Sequence, residues 1–143
     1  MREKIPCTDE RDRYVCAAVT RRFAMRAGFD SNAAAELAVC AAELASNAVR
    51  HAGGGELELT LLEEPRGVEL RCVDAGPGIA DVEAALADGW SRGHVIDAEH
   101  PQHDGLGSGL GAIRRLSHAL DIRSSPRGTT VIVRRLLEPS ARR

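Results

Sequence analysis

The spacing of apolar residues predicts two helices in the first third of the chain. Between residues 9 and 27 they recur at helical intervals, and Gly28 supplies a stop. The members of this stripe are Val15, Val19 and Phe23. The following run, FDSNAAAELAVCAAELASNAVRHAGGG, is rich in Ala and Leu and predicts a stronger helix. Asp30 or Ser31 can cap its start, and the three glycines end it.

Alternation of apolar and polar residues predicts strands further along. ELELTLLEE and VELRCVD alternate in this way around the turn signal EPRG, so we expect an antiparallel hairpin. DIRSS and TTVIVRRLL predict a second hairpin around PRG, and residues 2–8 are a candidate strand. ADVEAALADG and LGAIRRLSHAL predict two more helices, whereas residues 88–109 lack periodicity and predict a long loop.

This order of elements predicts an α+β fold. Helices and hairpins are grouped instead of alternating strictly, which favours a two-layer α/β sandwich with helices on one face of a mostly antiparallel sheet. The length of 143 residues fits a single domain, predicted over 1–138, with 139–143 as a frayed tail.

Composition narrows the class of protein. Aromatic residues make up only 3% of the chain, so Leu, Val, Ile and Ala must build the core. The net charge of -2, with acids interleaved among the arginines, argues against a nucleic-acid partner. Neither a membrane span nor a signal-peptide core is found, which predicts a cytoplasmic protein without a membrane partner. The cysteines at 7, 16, 40 and 72 lack the spacing of a metal clip or redox pair, and buried, reduced thiols are predicted.

The stretch ELASNAVRH on the second helix carries candidate chemistry. Glu43 and Asn47 are four residues apart and share one helix face, with Arg50 near it. A carboxylate can accept a proton, a carboxamide oxygen can ligate Mg²⁺, and a guanidinium can bind phosphate. The alternative is a solvated face with no such role.

The segment VDAGPGIAD places a carboxylate at the end of an apolar strand. Asp74 is costly there without a partner, and Gly76 and Gly78 let the backbone approach another group closely. One oxygen of this carboxylate can accept a hydrogen bond from the exocyclic amine of a purine. The alternative is a strand-ending aspartate followed by an ordinary turn.

The stretch DGLGSGLGAIRRL brings glycines to the start of a helix, which favours an anion site. It is not a P-loop, because Gly111 is followed by Ala112 and Ile113, and no strand directly precedes it as a dinucleotide fingerprint requires. A hinge is the alternative. Thr129, after the turn glycine Gly128, offers a hydroxyl to a ligand or is simply a strand residue.

Three histidines in the predicted loop, with neighbouring acids, raise the question of a metal. Their spacing fits no common helical ligand pair, so a solvated loop is predicted. They are His94, His100 and His103.

Taken in this order, ELASNAVRHA, VDAGPGI, GLGSGLGAI and GTTV resemble the N-box, two glycine boxes and closing Gly-Thr of the GHKL ATPase/kinase superfamily. The resemblance covers nearly the whole chain and implies the Bergerat α/β sandwich. Within the superfamily the chain is most similar to the anti-sigma-factor and stressosome switch-protein serine kinases. It departs from them at RGHVIDAEHPQHD, residues 92–104, where those kinases have only a few residues, so a longer ATP lid is expected.

The resemblance implies ATP and Mg²⁺ as cofactors and assigns roles to individual residues. Glu43 is implied as the general base, Asn47 as the Mg²⁺ ligand, and Arg50 as a phosphate contact. Asp74 is implied to recognise the adenine amine, with support from Thr129. The remaining residues implied to form the nucleotide site are Gly76, Gly78, Ile79, Gly105, Leu106, Gly107, Gly109, Leu110 and Gly111.

The function so implied is that of an ATP-dependent serine/threonine kinase in a partner-switching pathway. Its substrate would be a STAS-domain antagonist protein, and a sigma factor or a phosphatase would be regulated downstream. Two alternatives stay open at this point: an anti-sigma factor that acts by nucleotide-gated sequestration, and the ATP-binding domain of a larger regulator. A homodimer is a further expectation.

Overall fold

The computed structural model describes residues 1–77, 90–91, 94–95 and 109–137. Four predicted features lie outside these residues: the helix at ADVEAALADG, the tail at 139–143, most of the lid and five of the nucleotide contacts. Those contacts are Gly78, Ile79, Gly105, Leu106 and Gly107. The described elements, in chain order, are β1 Arg2–Cys7, α1 Asp12–Ala27, α2 Ser31–Ala52, β2 Gly55–Glu63, β3 Arg66–Asp74, β4 Trp90–Ser91, β5 His94–Val95, α3 Gly109–Leu116, β6 Ala119–Ser125 and β7 Gly128–Leu136.

Five strands form an antiparallel sheet in the order β1-β2-β3-β7-β6. Alternate strand residues such as Leu59, Leu70 and Val133 are fully buried and join one core with apolar residues of the helices α1, α2 and α3. The residues between them, such as Glu69 and Arg134, form ion pairs on the other face. The predicted two-layer α+β sandwich, with helices on one face, is confirmed.

Local signals set the helix ends as predicted. The Asp30 carboxylate caps α2 by accepting a hydrogen bond from the Ala33 N–H at 2.8 Å. Gly28 ends α1 and Gly53 ends α2, both in the left-handed region, with φ of 112° and 76°. Within the described ranges, no helix combines the length and apolar character needed to cross a bilayer.

The predicted apolar stripe of α1 is displaced by about one residue. The helix begins at Asp12, and Val15 is 50% exposed, whereas Cys16 and Thr20 are fully buried beside Phe23. A helix buries only one arc of its surface, and the large Phe23 ring sets which arc faces the sheet. Val15 therefore lies outside the core, although the helix that its spacing predicts is confirmed.

The second hairpin begins earlier than its sequence predicts. LGAIRRLSHAL reads as one helix, but α3 ends at Leu116, and Ala119 and Leu120 belong to β6. These two residues pair with Arg134 and Val133 of β7, so tertiary pairing overrides the helix propensity of Ala and Leu. In the predicted loop, β4 and β5 form a short antiparallel ladder that pairs Ser91 with His94.

Candidate functional site

Asp74 is held at the end of β3 by two backbone N–H groups. Its Oδ1 atom accepts hydrogen bonds from Gly76 at 3.0 Å and from Thr129 at 3.2 Å, because strand pairing sets Asp74 opposite Thr129. Among the described residues, Oδ2 accepts no hydrogen bond. The carboxylate is thus fixed in direction and keeps one oxygen available, as recognition of an amine requires.

Two glycines allow the backbone to close around this carboxylate. A Cβ atom on Gly76 would lie 2.4 Å from the Cβ of Ala52, so the turn after β3 packs directly on the end of α2. A Cβ atom on Gly128 would lie 2.2 Å from the Asp74 carbonyl oxygen, and Gly128 has a φ of +152°. The predicted close approach at Gly76 is confirmed, and Gly128 shares this role.

Gly128→Ala is expected to destabilise the fold by about 3 kcal/mol, from backbone strain and from displacement of the Asp74 carbonyl. Gly53→Ala is a matched control, since φ there is +76° but nothing lies within 4 Å of the added Cβ. We expect it to cost only about 1 kcal/mol. Urea denaturation of both variants measures the difference, and equal losses would show that the contact with Asp74 is unimportant.

Thr129 faces inward at the start of β7. It is 6% exposed, and its hydroxyl lies 2.8 Å from the Ser124 hydroxyl on β6. One hydroxyl of this pair donates to the other. Thr129 therefore supports the site through its N–H bond to Asp74 and through a polar link between the last two strands.

Glu43, Asn47 and Arg50 lie along the second half of α2. Glu43 and Asn47 are half-buried, and the Glu43 side chain is only 20% exposed, whereas Arg50 is exposed, so the face is shielded from solvent only at its first two positions. Small buried residues of α2, such as Ala45 and Ser46, let the helix lie close to the sheet and to α1, and this close packing shields the neighbouring side chains of Glu43 and Asn47.

Two residues near the start of the chain reach this face of α2, and no sequence pattern predicted that they would. Arg13 of α1 places Nη2 3.8 Å from Oε2 of Glu43. Glu10, in the loop before α1, pairs with Arg50 and accepts a hydrogen bond from the Ser46 hydroxyl at 3.3 Å. No short motif joins residues so far apart, and opposite charge is the only signal that their pairing leaves in the sequence.

The environment of Glu43 shifts its proton affinity. Burial raises the pKa of its carboxyl above the ordinary value, while Arg13 and then Arg50 oppose that shift. The negative charge of Glu10 raises the pKa further. The raised pKa makes the Glu43 carboxylate a stronger base, and the neighbouring arginines limit how far that pKa rises.

Arg13→Gln is expected to raise the pKa of Glu43 further, because the largest opposing positive charge is lost. Carbon-detected NMR titration of the Glu43 carboxyl measures this directly. Arg13→Lys keeps the charge and should leave the titration near that of the wild type. Arg11→Gln is a second control, since Arg11 pairs with Asp9 instead. An unchanged Glu43 titration in Arg13→Gln would refute the electrostatic role.

α3 brings the last glycines of the second glycine box to the core. The helix starts at Gly109, Gly111 and Leu110 are buried, and Ile113 is fully buried against α2. Arg135 secures the other end of α3, since it donates to the Leu116 carbonyl at 3.0 Å and pairs with Glu36 of α2 at 2.9 Å. The predicted helix start is confirmed, and a phosphate contact at its N–H groups stays a prediction.

The donor set is compatible with Mg²⁺ shared with phosphates. No group of three or more His, Cys, Asp or Glu able to hold a metal occurs within 1–77, 90–91, 94–95 and 109–137. Asn47 offers a single amide oxygen, and Mg²⁺ commonly takes one or two protein oxygens and completes its shell with phosphates and water. Asn47 therefore fits a nucleotide-bound Mg²⁺ better than an independent metal centre.

A separate cavity of about 420 Å³ lies between the start of α2, the end of α3 and the end of β7. Phe29, Glu36, Arg115 and Arg135 line parts of it. None of the predicted site residues contributes to its wall, so it is distinct from the candidate nucleotide site.

The fold and this constellation define a nucleotide-binding α/β sandwich of the histidine kinase type. The chain belongs to the family described as the histidine kinase-like ATPase domain, which matches residues 6–135. Membership confirms the predicted GHKL resemblance and implies ATP binding.

Relatives and solved structures agree with this assignment. The chain is 28% identical over 106 residues to the serine/threonine-protein kinase RsbT of Bacillus subtilis (strain 168), covering 73% of this chain and 72% of RsbT. The histidine kinase domain of the Erythrobacter litoralis EL346 blue-light activated histidine kinase superposes with a TM-score of 0.51 at 18% identity, over 83% of this chain and 63% of that one. The Pseudomonas aeruginosa SiaB–SiaC complex gives a TM-score of 0.57 at 10% identity, over 96% and 89%. Both structural likenesses concern the fold alone.

Proposed function

We propose that this protein is an ATP-dependent serine/threonine kinase of a partner-switching pathway, with a STAS-domain antagonist protein as its substrate. Glu43 is the observation that carries the proposal. It is a half-buried carboxylate of raised pKa, one helical turn from Asn47 and beside Arg13. A base of this kind suits proton removal from a hydroxyl. Similarity to the kinase RsbT supports the same reaction class.

The reaction transfers the terminal phosphoryl group of ATP. The Glu43 carboxylate takes the proton of the substrate Ser or Thr hydroxyl, and the hydroxyl oxygen attacks the γ-phosphorus. The bond between that phosphorus and the bridging oxygen breaks, and ADP leaves. Asn47 would hold Mg²⁺, which neutralises phosphate charge. The N–H groups of Gly109, Leu110 and Gly111 would orient the phosphates.

Adenine recognition is proposed at the C-terminal end of α2, beyond Asn47. The Oδ2 atom of Asp74, which accepts no hydrogen bond from the residues that the structure describes, would accept from the adenine amine, with Oδ1 already fixed by backbone N–H groups. The turn at Gly76 touches Ala52, five residues beyond Asn47, or about 7.5 Å along the helix axis. Base and phosphates would therefore lie at separate points along one rigid helix.

Several parts of the site stay predictions. Arg50 is engaged by Glu10, so a phosphate contact requires it to leave or share that pair. The residues outside the described ranges are proposed to shape the base pocket and the lid: Gly78, Ile79, Gly105, Leu106 and Gly107.

The proposed pathway follows from the reaction. Phosphorylation of the STAS-domain partner would release it and free this chain to engage a sigma factor or a phosphatase. The proposal places this exchange in the cytoplasm, with residues 1–138 acting as one domain, alone or as a homodimer.

A phosphotransfer assay tests the proposal. The protein is incubated with labelled ATP, Mg²⁺ and the STAS-domain proteins encoded near it, and phosphoserine or phosphothreonine is mapped by mass spectrometry. We expect transfer to one of them. A stable ATP-dependent complex without transfer would favour the sequestering alternative, and failure to bind ATP would contradict both.

A further inference from the structure

Cys7 and Cys16 are in direct contact, although nine positions separate them. Their sulfur atoms lie 3.5 Å apart, and both residues are fully buried. Cys7 is the last residue of β1, and Cys16 lies in the second turn of α1. The predicted burial of the thiols is confirmed, and the spacing of the cysteines along the chain gave no sign that two of them touch.

The pair needs only a small movement to become covalent. A disulfide has a sulfur–sulfur bond of about 2.05 Å, so the two atoms must approach by roughly 1.5 Å. The two sulfurs already share a hydrogen bond, which aligns them. Among the described residues, Cys40 and Cys72 share no sulfur–sulfur hydrogen bond, and Cys72 donates to the Leu44 carbonyl instead.

The two thiols are electronically unequal. The hydrogen bond between Cys16 and Cys7 lowers the pKa of Cys7, although burial opposes that effect. The same bond, together with burial, raises the pKa of Cys16. The Cys7 thiol also donates to the Ile5 carbonyl at 3.6 Å, so Cys16 is the donor in the shared bond and stabilises the thiolate of Cys7, which is the reactive form. Burial raises the pKa of Cys40 and Cys72 to about 12, which makes both inert by comparison.

We propose that Cys7 and Cys16 are a reversible redox site, converted by hydrogen peroxide into a disulfide that joins β1 to α1. The Cys7 thiolate attacks one peroxide oxygen, the O–O bond breaks, and the departing hydroxide becomes water on taking up a proton, leaving a sulfenic acid. The Cys16 sulfur then attacks the Cys7 sulfur, the S–O bond breaks, and water leaves with the Cys16 proton. Two thiols and one peroxide thus give one disulfide and two waters, and a dithiol reductant reverses the change.

Access to the buried pair comes from the sheet edge. In the described sheet β1 is the edge strand and pairs only with β2. Edge and terminal strands open locally more easily than central ones. Brief separation of the Cys7 end from β2 would expose the thiol without unfolding α2 or the central strands.

The disulfide would close the segment that serves the candidate site. Glu10 and Arg13, which contact Arg50 and Glu43, both lie between the two cysteines. This loop is already ordered by Asp12, whose carboxylate accepts from the Thr8 and Asp9 N–H groups at 2.8 and 3.1 Å. Cross-linking both ends of such a loop is expected to restrict its remaining motion.

Peptide mapping of the oxidised, folded protein tests this proposal without reference to kinase activity. The protein is treated with hydrogen peroxide, unfolded, alkylated and digested with trypsin. Cleavage after Lys4, Arg11, Arg13 and Arg21 places the two cysteines on separate peptides, 5–11 and 14–21. We expect these peptides joined by a reducible bond, with two of the four thiols lost.

Matched variants identify the pair. Cys40→Ser should still lose two thiols, and Cys7→Ser should keep all of its remaining three. Cys16→Ser should form no disulfide and should lose at most one thiol, that of Cys7, which stops at the sulfenic acid. A different linkage in the folded wild type overturns the proposal. Retention of four thiols at a peroxide dose that oxidises the unfolded chain does so as well. Hydrogen exchange of amides 8–13 should slow on oxidation and recover on reduction, and unchanged exchange would contradict closure of the loop.

Discussion

Glu43→Gln is expected to lower the rate of phosphoryl transfer by about 10²- to 10⁴-fold while ATP affinity stays near that of the wild type. The amide keeps the size and polarity of the side chain but cannot accept the hydroxyl proton. Burial of the charged carboxylate is unfavourable, as the raised pKa of Glu43 shows. The neutral amide avoids this cost, so the variant should be at least as stable as the wild type. Single-turnover transfer to the STAS-domain substrate measures the rate, and calorimetry measures ATP binding.

Glu36→Gln is the matched control for this experiment. Glu36 lies on the same helix two turns earlier, pairs with Arg135 and is 44% exposed. We expect transfer in Glu36→Gln to remain close to the wild-type rate. Equal transfer by Glu43→Gln and the wild type would contradict the role of Glu43 as the base, whatever the affinity for ATP.

Asp74→Asn is expected to weaken ATP binding by about 10- to 100-fold, because a hydrogen bond to a charged group contributes about 1.5–3 kcal/mol. The carboxamide oxygen of this variant can still accept from the Gly76 and Thr129 N–H groups, so the turn should persist. The NH₂ group would then point where the second carboxylate oxygen had been and oppose the adenine amine. A guanine base presents a carbonyl at that position, so preference for ATP over GTP should narrow.

Titration of both nucleotides into the wild type and Asp74→Asn tests this prediction. Asp121→Asn is the control, since Asp121 is exposed and pairs with Arg123 on β6. It should bind both nucleotides as the wild type does. Unaltered ATP affinity in Asp74→Asn, with a normal melting temperature, would remove Asp74 from the nucleotide site.

Features that depend on neighbouring residues were predictable from the sequence, whereas features that depend on packing were not. Asp74 was predicted from a polar residue at the end of an apolar run, a signal contained within nine neighbouring residues. Gly28, Asp30 and Gly53 were predictable for the same reason, since caps act within one helical turn. The exposure of Val15 was not predictable, because two adjacent arcs of α1 are about equally apolar in sequence. Only packing against the rest of the protein selects the arc that is buried.

The sequence by itself determined the α+β class and the order along the chain of the five strands of the sheet and of the helices α1, α2 and α3, since these rest on periodicity and on local turn chemistry. The candidate site positions came from the resemblance to the GHKL superfamily. Only the tertiary structure decided that Glu10 and Arg13 flank Glu43, that Thr129 fixes Asp74, and that Cys7 touches Cys16. The physical reason is common to all three. Hydrogen bonds, ion pairs and thiol contacts act over a few ångströms, and chain separation carries no information about them until strand register and helix packing bring the residues together.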